Sequence, residues 1–105
     1  MAKYVLVYTG GVTMPASEAE FQAQLADWGA WYGSLGDALV DGGAPFGPSA
    51  TVSAGGAVRE GAPSGLTGYT IIQAEDLASA GARANGCPIL AGGGSVEVYE
   101  VHEIM

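Results

Sequence analysis

Side chains that could do chemistry are few in this 105-residue chain. His102 is the single histidine, and only its unperturbed pKa suits proton transfer near neutral pH. It lies in the strand-like run SVEVYEVHEIM (95–105), where strand alternation puts Glu100 on its face and Glu103 on the other. A carboxylate beside an imidazole is the pairing a general base needs, and a solvent-facing strand-end histidine has the same signature. Asp41 opens the turn-rich DGGAPFGPS segment (41–49) and is the second candidate for moving a proton. An aspartate there equally serves its own turn by local hydrogen bonding. Asp37 falls where a helix should end.

The ring side chains suggest binding. Trp28, Trp31 and Tyr32, together with Tyr8, Tyr69 and Phe46, could line a concavity for a flat apolar or aromatic ligand, or could be core or interface. Cys87 is the only cysteine, which excludes an intrachain disulfide and a four-thiolate zinc cluster. It follows a helix C-terminus with no adjoining cation, surroundings that disfavour a thiolate. One histidine and scattered acids do not make a transition-metal site. No phosphate-binding glycine motif and no G-x-S-x-G elbow occurs, so no cofactor is implied.

The elements that must hold these groups are legible from periodicity. Residues 3–9, KYVLVYT, are apolar on both faces, with Tyr4, Leu6 and Tyr8 against Val5 and Val7, and predict a central strand. Ser17 and Glu20 have capping-box spacing, and Phe21, Leu25, Trp28, Tyr32, Leu35 and Leu39 then form one helical stripe facing a sheet. Trp31 sits off that stripe, at a cleft, an interface or an edge. Gly29, Gly33 and Gly36 weaken the helix and predict close approach by another backbone, with the helix ending between Leu35 and Asp37. A strand begins near Ala38–Val40. Residues 51–53 and 57–59 flank Gly55-Gly56 as a hairpin, and 60–67 is a loop. Residues 68–74, GYTIIQA, form a second buried strand. A helix with Leu77, Ala80 and Ala84 inward then stops at Asn85-Gly86, and the last strand runs from residue 95 to Met105. The order is β-α-β-β-α-β, the ferredoxin-like α+β arrangement with an antiparallel sheet, in one domain spanning 1–105.

Composition bounds the partners. Eleven acids against three basic residues give a net charge of −8, and Lys3, Arg59 and Arg83 are far apart, which disfavours nucleic acid and anionic membrane surfaces. The N-terminus has no long apolar stretch for a signal peptide or membrane span, so a cytoplasmic location is expected. With 49% hydrophobic and 13% charged residues in so short a chain, an apolar patch should remain exposed, and self-association covers it most simply.

The segments KYVLVYTG, WGAWYGSLGDALVDGGAPFGP, GYTIIQAEDL, GCPIL and GGSVEVYEV, in this order over nearly the whole chain, resemble the YCII-related proteins, including their DGPF-type branch. The resemblance implies a ferredoxin-like subunit whose sheets pair as a dimeric α+β barrel. It also implies relatives that act without a cofactor on small, often aromatic-derived molecules, in dehalogenation- or isomerisation-like chemistry, through a His–Asp pair. The histidine of that pair lies near the first helix in the family. Here that helix carries Trp28 and Trp31 and no histidine, and GAPFG (43–47) stands without a DGPF motif. Two functions are therefore expected. One is a cofactor-independent enzyme using His102 or Asp41 on an aromatic or lactone-like metabolite. The other is a non-catalytic homodimeric module that binds a small molecule or another protein.

Overall fold

A computed structural model describes residues 1–11 and 14–102. Strand β1 (Ala2–Thr9) leads to helix α1 (Glu18–Leu35), a short 3-10 turn and strand β2 (Leu39–Pro45). Two three-residue strands follow, β3 (Ala50–Val52) and β4 (Val58–Glu60). Then come β5 (Leu66–Ala74), α2 (Leu77–Ala84), α3 (Pro88–Ala91) and β6 (Ser95–Val101). Four strands form an antiparallel sheet in the order β2-β5-β1-β6, and β3 and β4 pair as a separate ribbon.

The two strands with apolar residues on both faces occupy the centre of this sheet. In β1, Tyr4, Leu6 and Tyr8 are buried beneath the helices while Val5 and Val7 are half-buried on the opposite face; in β5, Thr70, Ile72 and Ala74 alternate with Tyr69 and Ile71 in the same way. The helical layer completes the core with Trp31, Leu35, Ala80, Ala84, Cys87 and Ile89. All three helices serve that one face. The other face of the sheet is open.

Several expectations are corrected. The dimeric α+β barrel is not seen: the four-stranded sheet ends at β2 on one side and β6 on the other, and neither sheet closes into a barrel. Helix α1 starts as its cap predicts, with Ser17 Oγ accepting from the Glu20 N–H at 3.2 Å and the Glu20 carboxylate accepting from the Ala16 N–H at 2.7 Å. The expected stripe, however, holds only in its second half. Phe21 and Leu25 are exposed, and Trp31, placed off the stripe, is buried to 5% exposure. The helix meets the sheet only through Trp28 to Leu35, so its first ten residues have little to pack against. Gly29 and Gly33 have no heavy atom within 4 Å of a built Cβ, so no backbone approaches them. Leu77 is exposed, and the short helix α3 follows where the sequence suggested no element. The last strand ends at Val101; residues 103–105, including Glu103, lie outside the described residues. No helix among the described residues is long and apolar enough to cross a membrane.

The ribbon departs from the rest. Residues 46–65 leave the sheet at the end of β2 and return into β5, with Phe46 N–H donating to the Thr67 carbonyl at 2.9 Å at the root. The radius of gyration is 15.3 Å, against about 13 Å for a compact chain of this length.

Gly43 is required where β2 kinks. Its φ is +75°, and a Cβ there would lie 1.7 Å from the Tyr69 carbonyl oxygen. Gly43→Ala is expected to destabilise the fold by about 2 kcal/mol or more. Gly29→Ala, inside the loosely packed helix, should stabilise by about 0.5–1 kcal/mol. Urea unfolding of both variants checks the pair, and a neutral Gly43→Ala would contradict the kinked register.

Candidate functional site

The chemistry-bearing residues fall into three groups that the sheet keeps apart. The first lies beneath the helices. Trp28 contacts Tyr8, Trp31 and Tyr32, with ring centroids 5.7, 5.8 and 5.8 Å away, and Trp31 and Tyr32 lie 5.6 Å apart. The tilted and edge-on angles are those that aromatic quadrupoles prefer. This cluster surrounds a hydrogen-bonded string. Tyr8 donates its hydroxyl proton to Thr70 Oγ1, Thr70 donates to the Gly42 carbonyl at 3.1 Å, and the Tyr32 hydroxyl donates to the same carbonyl at 3.0 Å.

The string exists because β2 is irregular. Its register against β5 shifts between Asp41 and Ala44, so Gly42 sits where the ladder is interrupted. Even a half-buried carbonyl without a partner would be costly. Tyr32 and Thr70 supply donors to both of its lone pairs. Trp31 is held equally firmly, its Nε1–H donating to the Arg83 carbonyl at 3.1 Å. Burial pushes the Tyr8, Tyr32 and Cys87 pKa values up. Cys87, two per cent exposed and beside the Tyr8 hydroxyl, is therefore held as a thiol and not as a nucleophile. The arrangement is a satisfied core. Among the described residues no buried side-chain nitrogen or oxygen lacks a partner.

The second group occupies the open face. Phe46 stacks on Tyr69 at 5.8 Å with an interplanar angle of 21°. The pairing registers align Val5 with Ile71 and Tyr99, and Val7 with Tyr69 and Glu97. Beside them is a depression of about 400 Å³ lined by Val7, Thr9, Ser64, Leu66, Glu97 and Tyr99. The Tyr99 hydroxyl donates to Glu97 at 2.7 Å, and that bond is the leading cause of its raised pKa. A second, shallower depression lies between α2 and β6, lined by Ala84, Asn85, Leu90, Val96 and Val98 among others.

The third group is at the end of β6. His102 Nε2 contacts Glu100 Oε2, and Glu100 Oε1 accepts from the Tyr4 hydroxyl at 3.3 Å. The imidazole is 72% exposed.

The expected residues are thus distributed as follows. Tyr8, Trp28 and Trp31 lie under the helices, whereas Tyr69 and Phe46 lie across the sheet from them. Asp41 accepts from the Gly43 N–H at 2.8 Å, closing its own turn. It stands on the β2 edge and His102 follows the β6 edge, three strand spacings away, or about 14 Å. Thr70, Tyr32, Glu97 and Tyr99 were not singled out from sequence for these roles. The Glu97/Tyr99 spacing of two was a usable signal, but only the strand register shows that Val7 joins them. No group of three or more His, Cys, Asp or Glu among the described residues is placed to hold a metal.

Thr70→Val keeps the shape of the string but removes the acceptor of the buried Tyr8 hydroxyl. It should cost about 1–3 kcal/mol, and adding Tyr8→Phe should recover part of that loss. Strict additivity in a double-mutant unfolding cycle would contradict the string. The raised tyrosine values also set a pH dependence. A hydroxyl that ionises less readily when folded contributes stability below its unfolded pKa near 10.0 and loses it as pH rises toward the folded value. Unfolding free energy should therefore fall above about pH 10, and less steeply in Tyr8→Phe. Equal slopes would contradict this assignment.

No protein-family model matches this chain, and no curated protein matches it.

Proposed function

We propose that this chain is a non-catalytic, self-associating module that buries its open sheet face against a second copy of itself. The observation that carries this reading is the uncovered apolar face: Val5, Val7, Tyr69 and Ile71, flanked by Phe46, Tyr99 and Val101, opposite every helix. Strands apolar on both faces are normally covered on both faces, and contiguous apolar patches of this kind mark interfaces. A second copy suits the face because its charges are self-complementary. Lys3 lies at one end of β1, and Glu97, the neighbour of Val7, lies toward the other. A twofold axis across the strands brings the Lys3 end of each sheet over the Glu97 end of its partner, an isologous contact between two stacked open sheets. The resemblance to YCII-related proteins, read from the residues alone, supports a paired subunit as well.

A second reading is favoured by the His102–Glu100–Tyr4 contact. A carboxylate oriented by a buried hydroxyl and touching an imidazole can act as a general base assembly. In that reading the chain is a cofactor-independent proton-transfer enzyme on a small aromatic or lactone-like metabolite. If an activity is found, Glu100→Gln and His102→Gln should each lower kcat about 100-fold or more, and unchanged turnover would remove this reading.

Sedimentation velocity tests the first. The wild-type chain should sediment at twice its 10.5 kDa mass, and Val7→Lys should give monomer at the same concentration. A wild-type monomer would defeat the proposal, and a Val7→Lys dimer would defeat the choice of face.

A further inference from the structure

Beyond its root, where Phe46 stacks on Tyr69, the arm formed by residues 46–65 contributes nothing to the core of its own chain. Past the Phe46–Thr67 bond at its root, its hydrogen bonds run within itself: the β3–β4 ladder, Ser53 N–H to the Ala57 carbonyl at 2.8 Å, and Gly61 N–H to the Ser49 carbonyl at 2.8 Å. The Thr51 hydroxyl likewise donates to the Gly61 carbonyl at 2.7 Å. An isolated two-stranded ribbon is marginal in water. This one also presents a directly opposed apolar pair to solvent, Val52 and Val58, at 67% and 68% exposure. The molecule measures 45 × 39 × 20 Å. The shortest dimension is about that of one sheet plus one helical layer, so the arm extends along the layers and covers neither face.

We infer that the arm is a clasp for a second copy, seating Val52 and Val58 on the partner when the two open faces meet. The inference rests on the self-association proposed above and adds the element that completes it. Four strands about 4.8 Å apart and about seven residues long present a face of roughly 450 Å², or about 900 Å² for two copies. Specific stable interfaces bury about 1,200–2,000 Å². One side of the ribbon, two strands of three residues, adds roughly 100 Å² per copy by the same spacings and covers as much of the partner, which brings the pair to about 1,300 Å². The arm is also continuous with the face: Phe46 at its root stacks on Tyr69, and Ser64 and Leu66 line the depression beside Val7 and Tyr99. Arg59, one of three basic residues in a chain of net charge −8, is carried on the arm. There it meets the acidic surface of a partner.

The dissociation constant measured by sedimentation for three proteins tests this. These are wild type, Val52→Ser with Val58→Ser, and a chain in which residues 50–60 are replaced by a short Gly-Ser link. The constant should rise at least fivefold in both altered proteins. A smaller rise in a chain that still dimerises would overturn the clasp and leave the valines to some other occupant, while the sheet-face reading stood. A wild-type monomer would overturn both. If the serine variant fails to fold, the shortened chain decides, because its removed segment contacts none of the core.

Discussion

The Gly42 carbonyl oxygen is the point on which this small fold turns. It belongs to an edge strand whose ladder is broken by a shift in register, and two donors from different elements converge on it. Tyr32 arrives from α1 and Thr70 from β5, and Thr70 in turn holds Tyr8 of β1. Three strands and the main helix are thereby tied at one oxygen. Because a half-buried carbonyl left unpaired is costly, the kink, the tyrosine and the threonine work together. Gly43 then has to be glycine, since the kink brings its α-carbon against the Tyr69 carbonyl.

The same arrangement determines what the aromatic residues can do. Rings and hydroxyls that read in sequence as the lining of a ligand site are consumed in holding α1 to the sheet. Trp31 caps the Arg83 carbonyl, and Trp28 fills the space between Tyr8 and Tyr32. With the helical face occupied in this way, the uncovered apolar side chains of the central strands lie on the other side, where Val5, Val7 and Ile71 stand in register with Tyr69 and Tyr99 alongside. Those residues are too short or too flat to bury one another. The single layer of helices leaves them half-exposed, and a chain with so few charged residues cannot screen them.

Much of the element order was readable because local patterns carried it. Alternation in KYVLVYT and GYTIIQA predicted central strands, and Ser17 with Glu20 predicted the start of α1. The Gly55-Gly56 pair predicted the ribbon turn. The misreadings share a cause. Phe21 and Leu25 continue a helical stripe, but a stripe is buried only as far as the surface beneath it extends, and here that surface ends under Trp28. Trp31 lies off the stripe yet is buried because Arg83 and Gly86, at the end of α2, close over it from the side. The candidate catalytic residues were separated for a similar reason. Asp41 and His102 each fit their local pattern, and the strand order places them on opposite edges.

By itself the sequence determined the α+β class, the two strands able to sit at the centre, the acidic surface and the scarcity of ionisable groups, since these depend on composition and short-range periodicity. Only the tertiary structure decided which face of the sheet the helices cover, which polar groups satisfy the kinked strand, and that the sheet stays open instead of closing into a barrel. Those outcomes depend on strand order and register. Both are set by contacts between residues far apart in the chain, to which alternation within one segment is blind.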